Sequence, residues 1–197
     1  MANNKVTFGF RNVHIAFMDA DGTTQPAWEV PVPVPGAVRF TPTIVGDTTT
    51  FYADDSAYYV VDTNNGYTAE LELALLPDEL KIRMLGWVRD TNGMVVEVSD
   101  GIGEEFALMG QVAGDQRNRR FVYYKCSATR PAKELTTKGE TTEVNTDVVN
   151  LTISPIEVDD RMVVKGDLEL SDTNAAAYNG FFNAVLLPSF ATTPEGA

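Results

Sequence analysis

His14 and Cys126 are the side chains best suited to activate a nucleophile or ligate a soft metal, and each is the single residue of its kind in 197. A lone histidine cannot build a zinc site without further His or Cys ligands, and any Ser-His-Asp relay would have to pass through His14. No G-x-S-x-G elbow and no P-loop is present. Gly101-Ile102-Gly103 comes nearest to a phosphate cradle, but Glu104 and Glu105 follow it and would repel the ligand. Asp19-Ala20-Asp21-Gly22 and Asp62-Thr63-Asn64-Asn65-Gly66 open like calcium loops. The remaining ligands of a twelve-residue loop are missing, which leaves hairpin turns. Adjacent carboxylates at Asp54-Asp55 and Glu104-Glu105 suggest glycosidase chemistry. Neighbours on a strand point to opposite faces, however, so such pairs do not converge. The inventory is that of a protein without catalysis, cofactor or metal.

The chemistry the chain does carry belongs to surfaces. From Phe40 to Leu80 there are eight acidic residues and no Lys or Arg, together with Phe51, Tyr52, Tyr58, Tyr59 and Tyr67. Rings supply contact area at low entropy cost, and a one-signed field selects what approaches. The segment reads as a protein–protein contact surface, with an acidic hairpin whose rings fill the chain's own core as the alternative. Between Arg117 and Lys138 the balance reverses: Arg117, Arg119, Arg120, Lys125, Arg130, Lys133 and Lys138 face only Glu134. Such segregation steers one copy's acidic segment toward another's basic strand, or else the two segments pair internally across a sheet. The net charge of −13 argues against duplex DNA as an affinity partner.

The elements that must position these surfaces are mostly strands. Val13, Ile15 and Phe17 alternate with His14, Ala16 and Met18, and Tyr67 to Leu75 alternates apolar residues with Thr68, Glu70 and Glu72. Further strands are expected over Ala37–Ile44, Met94–Val98, Glu105–Val112, Phe121–Thr129, Val148–Ile153 and Met162–Leu170. Asp21-Gly22, Asn65-Gly66, Asn92-Gly93 and Gly114-Asp115 supply turn chemistry between them. Pro77, Asp78 and Glu79 open a helix that runs to about Leu85 and stops at Gly86. A second, short helix is expected over Asp172–Asn183.

Val30–Gly36, VPVPVPG, must be extended and cannot form a central strand; it reads as a stiff connector or protected edge, or a polyproline ligand. Thr136–Asn145 reads as a loop, and residues 188–197 as a short C-terminal arm. The length suits one domain over 1–197. The opening lacks the apolar run of a signal peptide, no stretch reaches the length of a membrane span, and lone Cys126 excludes an internal disulfide. Folding inside a cell and no membrane partner are the expectation.

At FYADDSAYYVVDTNNGYTAELELALLPDE the sequence resembles the major tail protein of long-tailed bacteriophages with non-contractile tails. NKVTFGFRNVHIA, VPVPVPGAV, GEEFALMGQVAGD before RRFVYYKCSATRPA, VNLTISP and the closing segment with Tyr178, Asn179, Phe182 and Pro188 occur in the same order. The resemblance implies a mainly β tail-tube fold, an antiparallel sandwich or barrel with a flanking helix at about 77–85. It implies hexameric rings of the chain with itself, stacked around a lumen that carries double-stranded DNA as non-sticking cargo. A long assembly loop would span about 46–66. Contacts between subunits are then expected from Phe51, Tyr52, Asp54, Asp55, Tyr58 and Tyr59 and from Arg117, Arg119 and Arg120, with Glu70 and Glu72 facing the lumen. Other tail proteins would be partners, and the virion the destination after synthesis in the host cytoplasm. The rival readings are another tube-fold component, from a secretion system or tail completion, and a carbohydrate-binding module using Trp28, Trp87 and the tyrosines.

Overall fold

The computed structural model describes residues 6–19, 25–53, 55–115, 117–130 and 145–190. An antiparallel sheet dominates, in the order β2 (Val32–Pro33), β1 (Phe10–Phe17), β9 (Phe106–Val112), β10 (Arg120–Thr129), β11 (Asp147–Ile153), β6 (Tyr67–Leu73) and β3 (Ala37–Ile44). A further strand, β14 (Lys165–Leu168), pairs with the first half of β10. Three small hairpins complete the strands: β4 (Thr48–Ala53) with β5 (Ser56–Asp62), β7 (Val88–Arg89) with β8 (Val95–Val96), and β12 (Ile156–Val158) with β13 (Arg161–Val163). The helices are α1 (Asp78–Leu85) and α2 (Ala175–Asn179). The fold is mainly β and antiparallel, as the sequence predicts.

Alternation builds the core. Ala69, Leu71 and Leu73 of β6 point inward beside Val149, Leu151 and Ile153 of β11, and Val13, Ile15 and Phe17 of β1 beside Phe106 and Leu108 of β9. The sheet curls until β3 lies near β1. Phe10, Phe40 and Phe121 stack across that closure with centroids 6.0–6.1 Å apart. Tyr123 meets Phe40 edge-on at 5.2 Å. Such pairs contribute about 0.5–1.5 kcal/mol each beyond their burial and hold the two ends of the curled sheet together.

Helix α1 packs Leu80 and Met84 into the same core. Pro77 precedes it, Asp78 and Glu79 sit favourably in its first turn, and Gly86 ends it in the left-handed region with φ 70°. The Asp147 carboxylate accepts the Leu76 N–H at 2.9 Å and pairs with Lys81 at 3.6 Å, pinning the entry to the helix against β11.

The outer side of β1, β9 and β10 is also covered. Ala16, Ala107, Met109, Val122 and Tyr124 lie under Ile156, Val158 and Phe181. The Tyr124 hydroxyl donates to the Leu186 carbonyl at 3.0 Å and the Tyr178 hydroxyl to that of Asn118 at 2.7 Å, which fixes the C-terminal segment there. Burial on both faces explains why residues 106–109 of β9 read as a continuous apolar run.

Two expectations differ in detail. Met162–Leu170 is two strands, β13 and β14, because the chain leaves the β12 hairpin at Val164 to join β10. The hairpin turn uses Asp159 and Asp160 at φ 49° and 58°, positions that Asp tolerates better than most side chains. The C-terminal helix is shorter than Asp172–Asn183, ending at Asn179 with Gly180 as its cap. The proline-rich stretch supplies β2, an edge strand on β1, in line with the protected-edge reading. Residues 20–24, 131–144 and 191–197 lie outside the described residues, and with them most of the first calcium-like turn, the Thr-rich connection and the end of the C-terminal arm.

Gly86→Ala is expected to destabilise the chain by at least about 1–2 kcal/mol from the left-handed backbone alone. An added Cβ would also lie 2.6 Å from the Ile102 nitrogen. Urea unfolding of the two proteins measures the difference.

Candidate assembly surface

Strands β3 and β6 pair from Ala37↔Leu73 to Ile44↔Tyr67 and then leave the sheet together. Val45 N–H donates to the Gly66 carbonyl at 3.0 Å, and Asn65 N–H returns to that of Val45 at 2.9 Å. Asp47 and Thr63 close the next rung, with Thr63 N–H and Thr63 Oγ1 both donating to the Asp47 carbonyl at 3.0 Å. Pairing then resumes as β4–β5, from Thr48↔Asp62 to Ala53↔Ser56, with a bulge after Phe51. The expected long loop of about 46–66 is therefore a continuous two-stranded ribbon. Gly66 stands at its root with φ 102°, its N–H held by the Asn64 side chain at 3.1 Å.

The ribbon's strands bond to each other and to no other strand among the described residues. At its tip Asp55 takes a left-handed φ of 58° and is exposed. Tyr59 stands opposite Phe51 in the register and is 63% exposed. Asp54 lies outside the described residues, and Phe51, Tyr52 and Tyr58 are placed by backbone alone.

The basic residues expected to receive the acidic segment have partners within the chain. Arg117 and Arg119 both pair with Glu169, Arg117 at 2.8 Å, and these two guanidiniums hold the Glu169 carboxyl below its ordinary range. Arg120 lies over the Tyr178 ring at 3.9 Å and the Phe182 ring at 4.8 Å, and it donates to the Tyr178 carbonyl. Lys125 pairs with Glu105 and Arg130 with Glu97. The acidic segment likewise uses near neighbours: Glu70 and Glu72 share Arg39, Asp78 takes Lys81, and Glu79 takes Arg89. Among the described residues, no ion pair joins the two segments.

Glu70 and Glu72 stand on the outward face of β6, beside outward residues of β3 and β11. Arg39 contacts them at 3.3 and 3.2 Å. The Thr146 hydroxyl donates to Glu72 at 2.8 Å, and that bond, then Arg39, keeps the Glu72 carboxyl below its ordinary range. Next to them runs an open trough of about 410 Å³, lined by Thr41, Thr43, Thr68, Glu70, Asn150 and Thr152. This face is polar, hydroxyl-rich and weakly negative.

Sequence reading missed Arg83. Its guanidinium lies 3.8 Å over the Phe17 ring and forks between Glu29, at 2.8 Å, and Glu104. Those hydrogen bonds raise the arginine's affinity for its proton and lower the Glu29 carboxyl. Three segments distant in sequence meet there, which no local pattern marks. Elsewhere, the His14 ring stacks on Phe182 at 4.4 Å with Nδ1 3.0 Å from the Asn12 carbonyl, and Cys126 is fully buried, which pushes its thiol pKa up. Neither touches the other, and among the described residues no group of three potential metal ligands occurs.

No protein-family model and no curated protein sequence matches the chain. Among solved structures, a chain of the anti-feeding prophage tube-terminating cap overlaps 86% of this chain and 96% of its own length, at 9% identity and a TM-score of 0.48. A chain of the anti-feeding prophage baseplate covers 86% and 98%, at 8% identity and a TM-score of 0.46. A chain of the PVC extracellular contractile injection system, from its extended sheath–tube complex, covers 84% and 94%, at 6% identity and a TM-score of 0.46.

A carboxyl held low contributes stability that is complete above its unfolded pKa, about 4.3 for Glu, and is lost as pH falls through the folded value. Arg83→Gln removes this contribution from Glu29. Its melting temperature is expected to lie below that of the parent at pH 7, with the gap closing as pH falls through the carboxylate range. Paired thermal melts across pH check the sign.

Proposed function

We propose that the chain is a structural subunit that assembles with copies of itself into hexameric rings, stacked as the tail tube of a long-tailed bacteriophage. The observation that carries this reading is the β4–β5 ribbon. A two-stranded hairpin is marginal on its own in water, and this one has no third strand within the described residues of its own chain. Docking on another subunit would supply the missing contacts. The likeness of the FYAD…LLPDE block to non-contractile tail proteins supports the tube and its six-fold closure. A closed ring needs a patch that differs from the patch it meets, and an acidic aromatic arm is a patch of that kind. Trp28, by contrast, donates to the Tyr124 carbonyl at 3.2 Å and packs beside that ring, a use that speaks for packing over sugar binding.

In this reading the subunit is made in the host cytoplasm and resides in the virion, with other tail proteins as neighbours and double-stranded DNA as passing cargo. The face bearing Glu70 and Glu72 lines the lumen. A wall that bound phosphate would hold the genome through many salt-sensitive contacts. Hydroxyls with a small negative excess, left after Arg39 offsets part of the charge, let the polyanion slide.

Deleting residues 48–56 is expected to leave a soluble, folded chain that forms no tubes when concentrated protein is viewed by electron microscopy. Unfolding on deletion would assign the ribbon to the subunit's own core and sink the proposal. Glu70→Lys with Glu72→Lys should leave tubes near normal and slow genome ejection, more so at low salt, where screening is weaker. Ejection at the parental rate at every salt concentration would remove these carboxylates from the DNA path.

A further inference from the structure

Resting on that self-assembly reading, we infer that the ribbon of one copy docks on the proline ridge and the Arg11 groove of another. The ridge is the VPVPVPG stretch. Pro31 and Val34 turn inward, three residues apart, while Val32, Pro33 and Pro35 face out. The stretch therefore presents a proline-and-valine face at the sheet edge. Val30 is 76% exposed and Val32 47%, so the ridge is apolar and open.

Beside it lies a groove of about 530 Å³, lined by Phe10, Arg11, His14, Pro33, Pro35 and Gly36. The groove exists because β2 pairs with β1 only at His14↔Pro33 and Ile15↔Val32. Beyond Val34, whose N–H reaches the Val13 carbonyl at 2.8 Å, the chain swings away so that Gly36 can accept the Ala74 N–H at 2.7 Å. Among the described residues, the edge of β1 from Phe10 to Asn12 is left without a strand on that side.

Two complementarities select the occupant. Proline-rich segments are bound by aromatic surfaces, and the ribbon carries Phe51, Tyr52, Tyr58 and exposed Tyr59. The ribbon is acidic, with Asp47, Asp55 and Asp62, whereas the groove offers an uncommitted cation. Among the described lysines and arginines, the others pair with a carboxylate or lie over a ring. Arg11 is exposed and has neither partner within the described residues. Arg117, Arg119 and Arg120, engaged inside the chain, would have to break contacts to receive an acidic arm. Arg11 would break none.

Because Cys126 is fully buried, introduced cysteines report contacts cleanly. The experiment mixes a Val32→Cys chain with a size-tagged Tyr59→Cys chain at high concentration, oxidises mildly and reads the mixed disulfide on a non-reducing gel. The mixed species is expected to form, and Arg11→Glu in the first chain to lower its yield at least tenfold, with Asp55→Arg in the second restoring it. Ile102→Cys, 90% exposed, in place of Val32→Cys is the negative control. Circular dichroism confirms that each variant is folded. Rings or tubes visible by electron microscopy without the mixed disulfide would overturn this docking and leave the tube reading standing. Equal crosslinking through Ile102, or a Val32–Val32 bond in its place, would overturn it too. Absence of any assembly at high concentration would overturn both.

Discussion

The backbone of β10 is the constraint on which the rest of the molecule depends. One edge bonds to β9 from Arg120 to Cys126, and the other bonds first to β14 and then to β11. A strand shared in this way joins the part of the sheet that carries β6 and β3 to the part that carries β1. It also gives the molecule two apolar layers. Tyr123 and Cys126 enter the core inside the curled sheet, while Val122 and Tyr124 go to the layer under the C-terminal segment. Every buried N–H and C=O along β10 must find a partner, and three neighbouring strands supply them.

Charge in this chain is settled locally. Arg39, Arg83 and Glu169 each bridge two opposite charges that lie nearby in space. These contacts are partly exposed, where such pairs contribute modestly, and their value is in tying loops to the sheet. The excess negative charge that remains is spread over surfaces and the ribbon. Under the proposed function, that arrangement would let copies meet in one orientation and leave a polyanion unbound.

Bulges in β1 and β10 carry consequences for the surface and for the core. At Asn12, with φ 54°, β1 breaks register between Arg11 and His14, so Phe10 and Val13 both reach the core and Arg11 is thrown outward. In β10 the shift between Tyr123 and Cys126 lets both of those side chains face inward. A bulge puts two residues opposite one and re-aims the side chains beyond it. Without the first, the groove beside the proline ridge would lack its cation.

Much of the fold was legible along the chain because strands and caps are written in short-range patterns. Alternation from Tyr67 to Leu73 specifies one wet and one dry face wherever the strand is placed, since neighbouring side chains on a pleated strand point oppositely. Pro77, the two carboxylates after it and Gly86 mark α1 by local backbone preferences alone. The prolines of Val30–Gly36 likewise rule out a central strand, because they lack the N–H a ladder needs. The candidate surface was less legible. That residues 46–66 form a ribbon and not a loop depends on β3 and β6 leaving the sheet side by side. That Arg117 and Arg119 serve Glu169 and Arg120 serves Tyr178, while Arg11 serves nothing within the described residues, depends on contacts across about fifty residues or more. Periodicity tells a residue which face it shares; it carries no information about which distant segment arrives there, and only packing in three dimensions assigns a charge its partner.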